Sequence, residues 1–218
     1  MQRFRGQVYL EDGAIKESDL IDGRHVVEAD NFSWHLVVHD DKGTIAGCIR
    51  YQDHDVRSPF FRLSVFSTAI AACPQWGPAL KQAVHSELTT AKSMNLSFVE
   101  VGGWALAEHV RGTSEALRLG LAAYSLGQLL GGAVGMSTAT RRHCSSSILR
   151  RMGGESLNHA GVPIPAYYDP QYECEMEILR FYSWNPNPRY MLWVEEIRQS
   201  LLSIPVIVAT AWALAAAG

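Results

Sequence analysis

One carboxylate in this 218-residue chain sits where an ionised group is costly. Glu100 is the fourth residue of Ser97-Phe98-Val99-Glu100-Val101, an apolar-alternating run that reads as a strand broken by Gly102-Gly103. Two roles are open to it. It can be a sheet-end carboxylate paired with a basic side chain such as Arg50. It can also be a general base, its pKa raised by burial, that takes a proton from an attacking amine. Further on, Arg111-Gly112-Thr113-Ser114 forms a small-residue turn before a long apolar segment. If that segment is a helix, unpaired N–H groups and the helix dipole at its start would cradle a phosphate. The same position suits a plain helix cap by Thr113 or Ser114. Tyr167 and Tyr168 precede another strand-like run; they can supply a proton to a leaving group or simply pack as aromatics.

Other chemistries find less support. The turn lacks the Gly-Lys-Ser/Thr of a nucleotide P-loop and the Rossmann glycine pattern. Eight histidines are scattered, with no helical i, i+4 pair flanking a glutamate; His35 and His39 are four apart, but in a strand pattern. There is no G-x-S-x-G. Cys48, Cys73, Cys144 and Cys174 are far apart and never C-x-x-C, so they read as isolated small hydrophobes in a reducing cytoplasm, with no metal. A net charge of −3 without any Lys/Arg run argues against nucleic acid as a partner. The N-terminus lacks the apolar core of a secretory signal, which fits a cytoplasmic location. Leu201 to Gly218 carries no charge and approaches the length of a membrane span, but Pro205 interrupts it. A packed or frayed tail is expected there, with membrane or partner contact as the alternative.

Several elements must position these residues. Trp34 to His39 alternates as a half-buried strand, Asp40-Asp41-Lys42-Gly43 turns, and Thr44 to Tyr51 returns, which predicts a hairpin. Gln52 to Phe66 has no readable period. Trp76 to Met94 is an amphipathic helix through Leu80, Ala83, Val84, Leu88 and Ala91. From Thr113 to Leu130 apolar side chains run nearly all the way round, so that helix is buried on several sides. Ala133 to Ala139 reads as a strand and Arg141 to Met152 as a helix stopped by Gly153-Gly154. Glu173 to Phe181 alternates again, and Arg189 to Leu202 is a terminal helix. The economical reading is one α/β domain with a mixed sheet over residues 1–200, followed by an apolar tail over 201–218.

The order of these features resembles the GNAT acyltransferase superfamily. Its loop pattern is Arg/Gln-x-x-Gly-x-Gly/Ala, and Arg111-Gly112-Thr113-Ser114-Glu115-Ala116 is similar to it, with Ser114 in place of the first motif glycine. A narrower likeness is to the autoinducer synthases and N-acyl amino acid synthases. Arg5 with Val8-Tyr9, Glu28-x-Asp30, Gly47-x-x-Arg50 and the strand glutamate Glu100 resemble their motifs. A tryptophan after Val8-Tyr9 is missing, and Gly103 stands where an arginine is usual.

The resemblance implies a mostly antiparallel mixed sheet with a splayed central strand and flanking helices. It implies transfer of an acyl group from acyl-CoA, or from the phosphopantetheine of an acyl carrier protein, to a small amine or amino acid, with no tightly bound cofactor. Glu100 would be the base and Tyr168 the proton donor. Backbone groups of Val101, Gly102, Gly103 and Trp104, the loop Arg111 to Ser114, and Thr138 would hold the donor. Arg5, Asp30 and Arg50 would bind the acceptor. An acetyl-CoA-dependent acetyltransferase and a non-catalytic acyl-binding module are the alternatives.

Overall fold

A computed structural model describes residues 1–208. The chain opens with a helix, α1 (Gln2–Glu11), so the stretch Gln7 to Glu11 is helical and seats Arg5 and Val8 inward. Loops with short 3₁₀ turns lead to the predicted hairpin, β1 (Trp34–His39) and β2 (Ile45–His54). β2 runs three residues past Tyr51, into the part of the sequence that had no readable period. The rest of that part forms two 3₁₀ turns, Phe60–Arg62 and Ser64–Ser67.

Helix α2 (Gly77–Ser93) follows, then β3 (Ser97–Leu106), α3 (Glu115–Leu129) and β4 (Ala133–Thr140). Gly102-Gly103 does not end β3, contrary to the expectation of a break. The strand continues to Leu106 with a register irregularity opposite, between Cys48 and Arg50 of β2. Helix α4 is shorter than expected, Ser145–Met152, because Arg141 to His143 belongs to the turn before it. Gly153, at φ 117, ends it in the left-handed region. Small strands β5 (Glu155–Ser156), β6 (Asn158–His159), β7 (Val162–Pro163) and β8 (Tyr167–Asp169) precede the long β9 (Cys174–Tyr182). Helix α5 (Met191–Ser203) is the terminal one. Beyond it Ile204 to Val208 are exposed, and the remainder of the apolar tail lies outside the described residues. Among the described residues no helix is long and apolar enough to cross a membrane.

The main sheet has the order β1-β2-β3-β4-β9-β5, with β8 also on β9. Every pairing is antiparallel except β3 with β4, which are parallel and joined by α3. Alternation along β3 sends Phe98 to one face and Val99 to the other. The Phe98 face packs on α2 through Leu80, Val84 and Leu88. The Val99 face packs on α3, which is covered in turn by α5, and this explains its apolar circumference.

The parallel ladder is short: Ser97↔Ala133, Phe98↔Val134, Val99↔Gly135 and Glu100↔Met136. Gly135 has no side chain because the Phe181 ring crosses it; a Cβ there would sit 2.1 Å from that ring. Phe181 is itself held against Tyr124, ring centroids 4.9 Å apart. Gly135→Ala is therefore expected to destabilise the chain by about 2–3 kcal/mol, since the added methyl must displace a ring already packed on Tyr124. Urea unfolding of the purified variant checks this, and unchanged stability would contradict the packing.

Candidate active site

After Glu100 and Met136 the two parallel strands part. β3 stays with β2, through Val101↔Tyr51 and Gly102↔Arg50, while β4 stays with β9, through Ser137↔Leu179 and Thr138↔Ile178. The facing edges of β3 and β4 then have no ladder partner, and a cavity of about 40 Å³ lies in the fork between them. Arg50, Glu100, Val101 and Gly102 line one side; Met136, Ser137 and Thr138 line the other; Ser64 closes it.

Glu100 sits at the apex, 7% exposed. The Ser64 N–H donates to Oε2 at 2.7 Å and the Val65 N–H to Oε1 at 2.9 Å. These are the first N–H groups of a 3₁₀ turn whose Leu63 cannot cap it, so the carboxylate caps the turn from another strand. His54 Nε2 lies 2.9 Å from Oε2. That nitrogen is buried without a well-aligned hydrogen bond, so its attraction to Glu100 is Coulombic when the ring is charged. Burial alone would push the Glu100 carboxyl up, but His54 and the two backbone donors outweigh it and hold it below the usual carboxylate range. The balance thus favours the charged carboxylate and does not give Glu100 the raised pKa that burial alone would. Its partner is His54 and not Arg50.

Beside the fork lies a second buried charge cluster. Arg5, 1% exposed on α1, donates from Nη1 to Asp30 Oδ1 at 2.9 Å and from Nη2 to Oδ2 at 2.5 Å. Its Nε faces His25 Nδ1 at 3.2 Å, and Nη2 also reaches the His25 carbonyl at 2.8 Å. Arg50 Nη1 is 3.4 Å from Asp30. Of the pair Glu28 and Asp30, only Asp30 turns inward. Burial would raise its carboxyl, but Arg5, Gln2 and Arg50 prevail and hold it below the ordinary range. The same Arg5 charge, after burial, lowers the His25 imidazole. Arg50 differs from Arg5 in having a buried Nε without a partner.

Gly103 makes this arrangement possible. Its φ is +63, and a Cβ would lie 3.2 Å from Arg5 Nη1 and 3.3 Å from Arg50 Cβ. Where the family resemblance leads one to expect an arginine, two arginines from other elements fill the space. Trp104 is half-buried, with its carbonyl 3.4 Å from the Tyr9 hydroxyl.

The loop before α3 is more committed than its sequence suggests. Arg111 forms a two-pronged ion pair with Asp12, at 2.7 and 3.2 Å, and its Nε donates to the Leu106 carbonyl at 3.1 Å. Thr113 Oγ1 donates to the Val110 carbonyl at 2.7 Å and accepts from the Glu115 N–H at 3.1 Å. The capping role thus falls to Thr113, while Ser114 makes no side-chain cap. Gly112, at φ +75, is open to solvent. The first helical bond is Arg118 N–H to Ser114, so the N–H groups of Ala116 and Leu117 precede the ladder, beside the Glu115 carboxylate.

Tyr168, the expected proton donor, does not line the fork. It is 60% exposed on the outer side of β8, between the inward-facing Tyr167 and Asp169. The tyrosine that the sequence did not single out is Tyr172, in the turn before β9. Burial raises its phenol, Asp169 adds to this, and the nearby Arg50 and Arg5 charges oppose it. His54 and Ser64 were likewise hidden, because they lie in the segment without a period. Among the described residues no group of three His, Cys, Asp or Glu side chains could hold a metal, and all four cysteines are free.

No family model and no curated protein matches the sequence. Solved structures do match the fold. FeeM, an N-acyl amino acid synthase from uncultured soil microbes, aligns over 84% of this chain and 83% of its own, at 13% identity and a TM-score of 0.52. BjaI, a CoA-dependent acyl-homoserine lactone synthase, aligns over 99% and 88% at 15% identity and 0.57. LasI, another acyl-homoserine lactone synthase, aligns over 96% and 89% at 14% identity and 0.54. The chain shares the fold of these proteins, the GNAT-type fold class that the order of its sequence features implied.

The Arg5–Asp30 pair gives a stability prediction. Arg5→Met leaves a buried carboxylate short of its main partner and is expected to cost about 3–5 kcal/mol at neutral pH. The folded Asp30 carboxyl is depressed, so the pair's contribution is present above the unfolded carboxylate range and lost as pH falls through the folded value. The penalty of the variant should therefore shrink in acid, as paired urea melts at neutral and acid pH would show. An equal penalty at both pH values would contradict it.

Proposed function

We propose that the chain is an N-acyltransferase that joins an acyl group from a thioester to the amine of a small molecule, in the fork between β3 and β4. The observation that carries this reading is a buried carboxylate, Glu100, at the apex of two strand edges that have no ladder partner among the described residues. A pantetheine arm can add to such an edge as a further strand, pairing its amides with free backbone groups. N–H groups near Val101 to Trp104 would meet the developing oxyanion of the thioester carbonyl. When the amine attacks, its nitrogen becomes acidic, so even a weakly basic carboxylate can take the proton. Thr138 faces the same space from β4.

Arg50 supports an amino-acid acceptor, because it lines the fork and a guanidinium can bind a carboxylate. Arg5 and Asp30 would then hold Arg50 in place. Arg111, the loop's own cation, is engaged by Asp12, and the Glu115 carboxylate stands in the first turn of α3. This favours a donor gripped by its pantetheine arm, from either an acyl carrier protein or acyl-CoA, in the cytoplasm where both occur. The cavity of about 40 Å³ favours a second reading, a short-chain or acetyl transferase, since a long chain needs side chains to move.

Incubating the purified chain with acyl-CoA thioesters from acetyl to dodecanoyl, and with a panel of amino acids and amines, should release free thiol. Glu100→Gln should lower kcat by about 100-fold or more. No thiol release with any pair, nor with an acylated carrier protein, would overturn the reading, and the chain-length profile separates its two forms. Arg50→Met should raise KM for amino acids by about tenfold or more while sparing neutral amines. An equal effect on both acceptor classes would remove Arg50 from carboxylate binding.

A further inference from the structure

Glu100 is nearly enclosed, and an acyl donor in the fork would seal the side on which it meets substrate. A proton taken from the amine then needs another way out. The carboxylate has one neighbour that can carry it, His54 at the end of β2, with Nε2 2.9 Å from Oε2. His54 also lines a different space, an open polar cleft of about 920 Å³ at the other end of the parallel ladder. It therefore stands between the fork and solvent.

We propose that His54 relays the proton that Glu100 takes from the acceptor amine to the water of this second cleft. The proposal rests on the acyl-transfer reading of the fork. The amine nitrogen bonds to the thioester carbonyl carbon and gives one proton to Glu100, which passes it to the unprotonated Nε2 of a neutral His54 ring. The ring regains neutrality by releasing a proton to cleft water. The C–S bond breaks with its electron pair on sulfur, and the thiolate takes a proton from solvent. No further reactant is needed.

The surroundings suit such a relay. From β3, His54 faces Glu100 and the Phe98 ring, 6.3 Å away between centroids. Asp53, Asp55 and Arg57 stand around the cleft near His54, and Lys92 comes from α2. Asp55 is paired with Arg57 at 3.0 Å, and Asp53 accepts from Ser97 Oγ at 3.3 Å, so both acidic neighbours have partners of their own. Ser64 and Val65, which cover Glu100, offer it only backbone donors. The imidazole is the side chain suited to passing protons near neutrality, and its Nε2 lies within 2.9 Å of the carboxylate that would hand one over.

The test uses two variants of the full chain. His54→Gln keeps an amide able to hold Glu100 but cannot carry a proton, whereas His54→Ala opens a space that imidazole can enter from the cleft. In the thiol-release assay both should lose kcat by about tenfold or more with little change in KM. Added imidazole should restore His54→Ala in a saturable way and leave His54→Gln unchanged. Full activity of His54→Gln, or no rescue of His54→Ala, would overturn the relay and leave His54 a structural partner.

A second measurement does not depend on turnover. The Glu100 carboxyl, followed by carbon NMR in the wild-type chain and in His54→Ala, should titrate about one pH unit or more higher without its partner. An unmoved midpoint would overturn the relay even if the chain transfers acyl groups. An absence of acyl transfer alongside a moved midpoint would instead count against the acyl-transfer reading and not against the coupling of the pair.

Discussion

A carboxylate removed from water must find donors or lose its charge, and Glu100 is the point where this sheet meets that demand. Its backbone donors come from outside the β2–β3 pair. Two are the first N–H groups of a 3₁₀ turn, and the third contact is an imidazole from β2. Each solves a problem for the other: the turn has no cap of its own, and the carboxylate has no water. The segment from Pro59 to Thr68, which no periodicity organises, is thereby fixed over one face of the sheet. The fork begins at the same residue, so the charge that orders the loop also marks where the strands divide.

The Arg5–Asp30–Arg50 cluster follows the same logic with opposite emphasis. Arg5 is fully occupied, bound by Asp30 and His25 and closed over by Gly103. Arg50 is held loosely, at 3.4 Å from the same carboxylate, with donor capacity left over. One guanidinium thus acts as framework and its neighbour keeps its chemistry available. Gly103 is the condition for both, since any Cβ at φ +63 would press on the two arginines.

What was legible in the sequence was whatever is periodic or punctuated. The β1–β2 hairpin, α2, the all-round apolar α3, and the glycine stop after α4 follow from alternation, helical spacing and turn residues. Gly102-Gly103 misled, because a glycine pair signals a break when read locally, whereas here it lets a strand continue beneath two arginines. The carboxylate Glu100 was visible as a charge in an apolar run, but its partners were not. His54 and Ser64 lie where the pattern fades, and only the tertiary fold brings them within 3 Å. Tyr168 and Tyr172 show the same limit. Strand alternation places Tyr168 outward once the face of β8 is known, and that face is set by its pairing with β9.

The dependence of β4 on β9 bears on how the molecule assembles. β1, β2 and β3 are neighbours in sequence order or nearly so, and they can pair as the chain is made. Past Met136, β4 pairs among the described residues with β9 alone, and β9 is not complete until Tyr182. Until then Ser137 to Thr140 lack the partner that holds them in the sheet on the side away from β3. The open fork is thus a late, long-range contact, slow to form because a large loop must be closed first. A chain cut before Cys174 would keep most of the residues around Glu100 and still be expected to lack the space between the strands.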